Sequence, residues 1–252
     1  MDPLLPLLGF AFLAGFIDAV AGGGGLIQVP ALFILMPGVP APALLGTSKF
    51  AGIFGTSLAA AQYARRIAIE WRATLPTGIA ALVFSYAGAR TVAQVPPDLL
   101  RPLILVLLVG VLIYTLWKKD LGALHAPKLS QGAAFWMGLA TGALIGFYDG
   151  FFGPGTGSFL IIAFVGLFGF SFLAASASAK VVNVITNGAA LAYFIGHGQV
   201  LYAVAAPMAA CNLAGSFVGT RLALKLGSKF VRGVFIVVVS ALIARYAFDL
   251  TK

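Results

Sequence analysis

The chain has 252 residues, of which 61% are hydrophobic and 9% are charged, and its formal net charge is +9. Soluble domains carry about 25% charged residues, so this chain has too little charge to cover the surface of a water-soluble globule, and its hydrophobicity excludes intrinsic disorder. Between Asp18 and Lys49 no charged residue occurs for thirty positions, and apolar stretches of about 18 residues or more indicate membrane spans. The sequence therefore predicts an all-α integral membrane protein that crosses the bilayer several times.

The scarcity of reactive and basic motifs narrows the function further. One cysteine, Cys211, and two histidines are present, which excludes an internal disulfide, an iron–sulfur cluster and a cysteine-rich zinc site. No run of Lys or Arg exceeds two residues, so the positive charge is better explained by cytoplasmic loops than by nucleic-acid contacts. We expect no enzyme activity, no metal, no cofactor and no nucleic-acid partner.

Glycine, proline and charged residues divide the chain into ten apolar segments. The first five lie at about 4–20, 26–36, 42–64, 73–92 and 100–117, and the second five at 133–151, 157–169, 173–195, 203–224 and 231–249. The first segment has no basic region before it and continues past Asp18, so it is interpreted as a retained membrane segment and not as a cleaved signal peptide.

The two halves of the sequence align with each other, without a gap, at a spacing of 131 residues. Residue types that are scarce in this chain coincide, namely Asp18 with Asp149, Lys49 with Lys180, Pro76 with Pro207 and Arg90 with Arg221. These coincidences predict two membrane repeats, residues 1–121 and 132–252, joined by a cytoplasmic linker at 122–131.

The second segment of each repeat is unusually short. Segment 26–36 has about 11 residues, which give ~17 Å of helix, and this is too short for a hydrocarbon core of ~30 Å. We therefore expect the first two segments of each repeat to form a re-entrant, glycine-rich helical hairpin, followed by about three transmembrane helices. The turn of a re-entrant hairpin is non-helical backbone within the membrane, and such backbone is tolerated only inside protein or beside water.

The distribution of basic residues predicts an inverted arrangement of the repeats. Loop 65–72 contains three arginines, whereas the equivalent loop 196–202 contains no Lys or Arg, as inversion predicts. If each half crosses the membrane an odd number of times, both termini lie outside. Ten basic residues then share the cytoplasmic side: Arg65, Arg66, Arg72, Lys118, Lys119, Lys128, Arg221, Lys225, Lys229 and Arg232.

Asp18 and Asp149 are the only acids far from an expected membrane interface. An ionised carboxylate at that depth costs several kcal/mol, so it usually faces a cavity and has a partner. One interpretation is a group that exchanges protons and couples transport to a proton gradient. The other is a fixed ion pair or helix cap that holds the hairpin.

Lys49 and Lys180 lie about seven residues into the third segment of their repeats, or ~10 Å deep. An ammonium group there requires either an anionic ligand or a carboxylate. Attraction of a substrate anion and salt bridging to Asp18 or Asp149 are both open interpretations.

Two glycine-rich turns precede the short segments. They contain Gly22, Gly23, Gly24 and Gly25 in the first repeat, and Gly153, Gly155, Thr156 and Gly157 in the second. A helix N-terminus offers unpaired N–H groups to an anion, and a pair of such half-helices points to a transport site. We expect both turns to meet near the membrane centre and to bind substrate.

Polar residues of the third segments are further candidates. Asn183 and Asn187 share a helical face with Lys180 and could donate hydrogen bonds to an oxyanion, although hydrogen bonds between helices would also explain them. Arg90 and Arg221 are interpreted as anchors that reach the membrane surface. The remaining candidates are Thr47, Ser48, Thr56, Ser57, Ser178 and Thr186.

With these residues in view, the chain resembles the TauE/SafE family of membrane transporters. The resemblance rests on GFIDAVAGGGGLIQVPAL (15–32), TSKF (47–50), GFYDGFFGPGTGSFL (146–160) and ASAKVVNVITN (177–187). It implies transport of small sulfur-containing anions such as sulfite, sulfonates or sulfoacetate. One departure is Ile161, which stands where the first repeat has Pro30.

The preferred hypothesis is a secondary transporter of small anions in the bacterial cytoplasmic (inner) membrane, which works by alternating access with protons as a coupling ion. A passive anion channel and a non-catalytic membrane subunit are the alternatives. Substrate identity and transport direction stay open, as does the oligomeric state, for which a homodimer is one option.

Overall fold

The computed structural model describes residues 3–92 and 125–250 of the chain, and these residues form eight α-helices connected by short loops. The helices are α1 (Leu4–Ala21), α2 (Gly25–Leu35), α3 (Ala41–Ala64), α4 (Trp71–Thr91), α5 (Gln131–Phe151), α6 (Thr156–Gly166), α7 (Phe172–Gly196) and α8 (Tyr202–Leu250). The all-α prediction is confirmed, and the helix bounds agree with the predicted segments to within a few residues. The segment at 100–117 and most of the linker lie outside the described residues.

The starts of α5 and α7 follow from their capping residues. The Ser130 hydroxyl accepts a hydrogen bond from the Ala133 N–H, and Ser171 accepts from the Ala174 N–H, at 3.4 and 3.3 Å. A serine in this position satisfies one of the N–H groups that a helix leaves unpaired in its first turn.

Helix α8 contains the two segments that the sequence placed at 203–224 and 231–249. The helix from Tyr202 to Leu250 is interrupted between them at Gly227, where φ is 73° and ψ is −166°. Glycine tolerates this left-handed φ. A single residue therefore makes the break for which the sequence pattern predicted a loop.

Helix length and composition agree with a membrane protein. Among the described residues, three helical stretches are both long and apolar enough to cross a membrane: Leu4–Ala21, Phe172–Gly196 and Tyr202–Val231. Helices α3, α4 and α5 have 24, 21 and 21 residues and also reach about 30 Å. Helices α2 and α6 have 11 residues each, too few for a span of ~30 Å.

The most extensive helix contacts join the two halves of the chain. Helix α1 packs on α8, and α5 packs on α4. Gly15 of α1 abuts the backbone of Asn212, and Gly146 of α5 abuts Ala81 in the same way. Gly146 and Asn212 each lie 131 positions after Gly15 and Ala81, respectively. Each of these contacts therefore has a counterpart in which the residue from the first half and the residue from the second half exchange places.

A pair of hydrogen bonds repeats the same relation. The Ser85 hydroxyl donates to the Thr186 carbonyl at 2.9 Å, and the Ser216 hydroxyl donates to the Gly55 carbonyl at 2.6 Å. Ser216 follows Ser85 by 131 residues, as Thr186 follows Gly55. Both bonds tie a third-segment helix of one half to a fourth-segment helix of the other.

The short helices α2 and α6 are enclosed by the longer ones. Leu26 and Leu32 of α2 are buried, as are Ile161 and Phe164 of α6. The ring of Phe164 stacks on Phe170 at 5.5 Å, within a cluster that continues into α7. This packing holds the N-terminal ends of both short helices inside the protein.

Candidate functional site

Two buried glycine turns connect each first helix to its short helix. Gly22 ends α1 with a φ of 75°, and its N–H donates to the Asp18 carbonyl at 2.9 Å. In the second turn Gly153 and Gly155 have φ values of 89° and 87°. Gly24, the counterpart of Gly155, has a φ of −57°, so the two turns are similar but not identical in shape.

The two turns lie against each other. The Ser158 N–H donates to the Gly22 carbonyl at 3.1 Å, and the Ser158 hydroxyl donates to the Ala21 carbonyl at 2.8 Å. A Cβ added to Gly157 would lie 2.6 Å from the Gly22 Cα, which leaves no room for a side chain. The N-terminal ends of α2 and α6 are therefore close neighbours.

Each lysine forms an ion pair with the aspartate of the other half. The Lys49 Nζ lies 2.6 Å from Asp149 Oδ2, and the Lys180 Nζ lies 2.8 Å from Asp18 Oδ2. The Thr56 hydroxyl also donates to Asp18 at 3.1 Å. Of the two interpretations that the sequence left open, salt bridging is the one found in this conformation.

The two ion pairs differ in burial. The Lys180 side chain is fully buried, whereas the Lys49 side chain keeps 10% of its surface exposed. Asp149 is 2% exposed and Asp18 is 14% exposed. Each pair therefore has one almost fully buried member, Asp149 or Lys180, and one more exposed member, Lys49 or Asp18.

A cavity of about 60 Å³ lies between the glycine turns and the third-segment helices α3 and α7. A water molecule needs roughly 10–15 Å³ of such volume, so the cavity has room for a few waters or one small oxyanion. Its lining includes most of the residues that the sequence singled out: Asp18, Gly22, Gly24, Gly25, Lys49, Asp149, Gly153, Gly155, Thr156, Gly157, Asn183 and Asn187. Gly23 and Lys180 are not part of the lining, although Lys180 contacts Asp18 directly.

Several hydrogen-bond donors at this cavity are unpaired. In residues 3–92 and 125–250, no acceptor faces the backbone N–H groups of Gly24, Gly25 and Gly155. Within the same ranges, the side-chain amide of Asn187 also has no hydrogen-bond partner, and that of Asn183 only accepts, from Thr186 Oγ1 at 3.5 Å. Amide N–H groups of this kind suit an oxyanion.

Two amide residues of the lining were not anticipated from the sequence. The Gln28 amide nitrogen donates to the Ser48 carbonyl at 2.9 Å, and the Gln28 oxygen accepts from Asn212 at 3.0 Å. The positions 131 residues away hold Phe159 for Gln28 and Ala81 for Asn212, so only one half carries this chain of amides. One signal in the sequence could have identified Gln28, because it is the one polar side chain in an apolar helix.

No metal centre is formed by the described part of the chain, where no three His, Cys, Asp or Glu side chains come together. The site is electrically balanced, since two lysines face two aspartates. It is thus a small polar chamber with excess hydrogen-bond donors and one accessible ammonium group.

Comparison with known proteins gives full-length matches. The family model described as Sulfite exporter TauE/SafE matches residues 7–246. A Probable membrane transporter protein ORF9 of Sinorhizobium sp is 38% identical over 241 residues, which cover 96% of this chain and 91% of the relative. The Probable membrane transporter protein YfcA of Escherichia coli (strain K12) is 36% identical over 98% of this chain and 90% of its own length. A Probable membrane transporter protein of Haemophilus influenzae is 33% identical over 99% and 96%. No solved structure matches.

Proposed function

The chain belongs to the TauE/SafE family of multi-pass membrane transporters, and we propose that it is a secondary transporter that binds a small sulfur oxyanion in the cavity between the glycine turns. It is not an enzyme. The observation that carries the proposal is the meeting of both half-helix N-termini with Lys49, Asn183 and Asn187 around one small chamber. The choice of sulfur chemistry comes from the family description, and the choice of an anion from these donors.

The size of the cavity favours a compact substrate. A volume of about 60 Å³ suits an anion of a few heavy atoms, such as sulfite. A sulfonate such as sulfoacetate carries an additional carbon chain and requires the cavity to widen. Sulfite is therefore the first substrate to test.

Substrate binding is proposed to use Lys49 as the cation. In the resting arrangement Lys49 is neutralised by Asp149 at 2.6 Å. An oxyanion that takes the place of Asp149 would leave this carboxylate unpaired at a depth where an isolated charge costs several kcal/mol. We propose that Asp149 then takes up a proton, so that the anion and the proton travel together.

In the opposite conformation of the transporter, the same exchange is proposed for the other ion pair, Lys180 and Asp18. We propose that the repeats are inverted, that α1–α2 and α5–α6 are re-entrant hairpins, and that alternating access exchanges the roles of the two ion pairs. Three observations support this proposal: the 131-residue recurrence of contacts, the shortness of α2 and α6, and the unequal burial of Lys49 and Lys180.

The orientation follows from the basic residues. We propose that loop 65–72 and the linker at 122–131 face the cytoplasm, with both termini outside. The cytoplasmic membrane of a bacterium is the proposed location, because relatives such as YfcA of Escherichia coli come from bacteria.

The test is uptake of radiolabelled sulfite by proteoliposomes that contain the purified protein. Lys49→Gln should lower the initial rate by about tenfold to a hundredfold, since a charge-assisted hydrogen bond contributes roughly 1.5–3 kcal/mol. Lys128→Gln removes the same charge from an exposed loop and should leave the rate within twofold. Unchanged uptake in Lys49→Gln would contradict the proposed role, and flux that neither saturates nor responds to a proton gradient would indicate a channel.

A further inference from the structure

A second cavity, further along α3 and α8 than the cavity at the glycine turns, concentrates positive charge. It has a volume of about 510 Å³ and lies between the end of α3 and the middle of α8. We call it the basic cleft, and its lining consists of Leu58, Gln62, Arg65, Arg66, Phe217, Arg221, Leu224 and Lys225. Four of these eight residues are cationic, in a chain with only 16 lysines and arginines.

The cations of the basic cleft have no carboxylate partners in the described parts of the chain. The salt bridges found there involve Lys49, Lys180 and His125. The Arg221 guanidinium lies 3.8 Å from the centre of the Phe217 ring, a contact that fixes its position without neutralising it. Three guanidinium groups without a carboxylate partner among the described residues, one of them held by this ring contact, favour a phosphate ligand, which they can bind in a bidentate manner.

Polarity changes in the same direction along both helices that form the cleft. Residues four apart share one face of a helix. On α3 such residues are Phe54, Leu58 and Gln62, and Arg66 follows just after the end of the helix. On α8 they are Leu213, Phe217, Arg221 and Lys225. Phe54 and Leu213 are exposed by 43% and 40%. An apolar, exposed groove therefore leads into a cationic end, which matches the shape of a phospholipid and not that of a free inorganic anion.

The repeat provides an internal comparison for this cleft. The counterparts of Gln62, Arg66 and Phe217, each 131 residues away, are Tyr193, His197 and Tyr86. These form an aromatic cluster, with ring centres 5.8 Å apart for Tyr86 and Tyr193 and 4.1 Å apart for Tyr193 and His197. Of the four cations of the cleft, Arg221 has a basic counterpart, Arg90, whereas Arg65, Arg66 and Lys225 correspond to Gly196, His197 and Gln94. Helix packing at this position thus does not require the other three cations. Aromatic residues are common at both membrane interfaces, whereas clustered Lys and Arg are typical of contacts with anionic lipid.

We propose that the basic cleft binds the phosphate of an anionic phospholipid, with an acyl chain along the apolar faces of α3 and α8. Arg65, Arg66, Arg221 and Lys225 contact the headgroup, and Leu213 and Phe217 contact the chain. Because α3 also carries Lys49, a lipid bound in the basic cleft stabilises the end of a helix that lines the transport cavity. This inference depends on the chain lying in a membrane, and it does not depend on the identity of the transported anion.

The test is native mass spectrometry of the purified protein titrated with phosphatidylglycerol or phosphatidylethanolamine. The wild-type protein should retain one phosphatidylglycerol in preference to the zwitterionic lipid. A contribution of roughly 1 kcal/mol per basic residue is about fivefold in affinity, so R65Q/R221Q should weaken phosphatidylglycerol binding about 25-fold. The matched control R72Q/K128Q removes two charges from exposed positions outside the cleft and should bind like the wild type. R221K keeps the charge and should lose less than R221Q.

Two results would overturn the assignment. Equal loss of phosphatidylglycerol from R65Q/R221Q and R72Q/K128Q would mean that binding follows net charge and not the cleft. Displacement of the lipid by millimolar inorganic phosphate or sulfite would mean that the cleft is a site for free anions. Size-exclusion profiles of all variants verify that each protein is folded, and the single variants R65Q and R66Q replace any double variant that is not.

Discussion

Lys49 and Lys180 occupy equivalent positions in the two repeats but have unequal surroundings. Lys180 is fully buried against Asp18, while Lys49 reaches the cavity and contacts Asp149. A buried ion pair is weak evidence for stability, because desolvation of the two charges offsets much of their attraction. We propose that both pairs at the cavity are charges that change partners during transport.

The first prediction at this scale concerns proton coupling. In proteoliposomes, Asp149→Asn should abolish the acceleration of sulfite flux by a proton gradient, because the amide cannot take up the proton that we propose travels with the anion. Flux driven by the sulfite gradient alone should persist. The control Glu70→Gln alters an exposed acid that contacts His125 and should keep the gradient response. A full response in Asp149→Asn would exclude Asp149 as the coupling group.

The second prediction concerns the chain of amides at Gln28. Gln28→Met should lower the free energy of unfolding by about 1–3 kcal/mol, since the buried Asn212 amide loses its acceptor and Ser48 loses the hydrogen bonds that Gln28 donates. Thermal unfolding in detergent measures this loss, and Gln131→Met, at the exposed start of α5, is the matched control. Combining Gln28→Met with Asn212→Leu should cost less than the sum of the single changes. Additive losses would show that the two amides do not interact.

At the scale of elements, the decisive feature is the contact between the two glycine turns. Gly22 needs a left-handed φ of 75°, and Gly157 packs against it with no space for a Cβ. These two demands explain why glycine recurs at the turns. They also make the relative position of α2 and α6 sensitive to a single methyl group.

Gly157→Ala should therefore separate the two half-helix ends and reduce sulfite transport at least tenfold. Gly9→Ala is the matched control, because a Cβ at Gly9 meets nothing within 4 Å and alanine is the better helix former. Initial uptake rates of both variants, normalised to the amount of folded protein, provide the measurement. Equal rates would show that the close approach of the turns is not needed for transport.

At the scale of the whole molecule, much of the architecture could be predicted because glycine, proline and charge interrupt the apolar segments of a membrane protein so clearly. The 131-residue repeat identified Asp18, Lys49, Asp149 and Lys180 as candidates. Salt bridging of the lysines to Asp18 or Asp149 was one of two open interpretations. Which aspartate pairs with which lysine could not be predicted, because the partners are 100 and 162 residues apart and belong to opposite halves. Gln28 and Asn212 were missed since an isolated amide in an apolar helix creates no periodic pattern. The break near Gly227 was predicted between the segments 203–224 and 231–249, but it is made by one residue and not by a loop.

The central claim is that this molecule holds a small anion between its glycine turns by means of Lys49, and ligand-dependent thermal unfolding of the purified protein tests it most directly. At sulfite concentrations about 100 times the Kd, binding should stabilise the folded wild type by about 2.7 kcal/mol. This corresponds to a rise in Tm of about 5–10 °C for a chain of this size. Chloride at the same ionic strength should give no rise, and Lys49→Gln should lose most of the effect of sulfite while Lys128→Gln keeps it. An equal rise in Lys49→Gln, or no rise with sulfite, thiosulfate, sulfate, taurine or sulfoacetate in the wild type, would contradict the account.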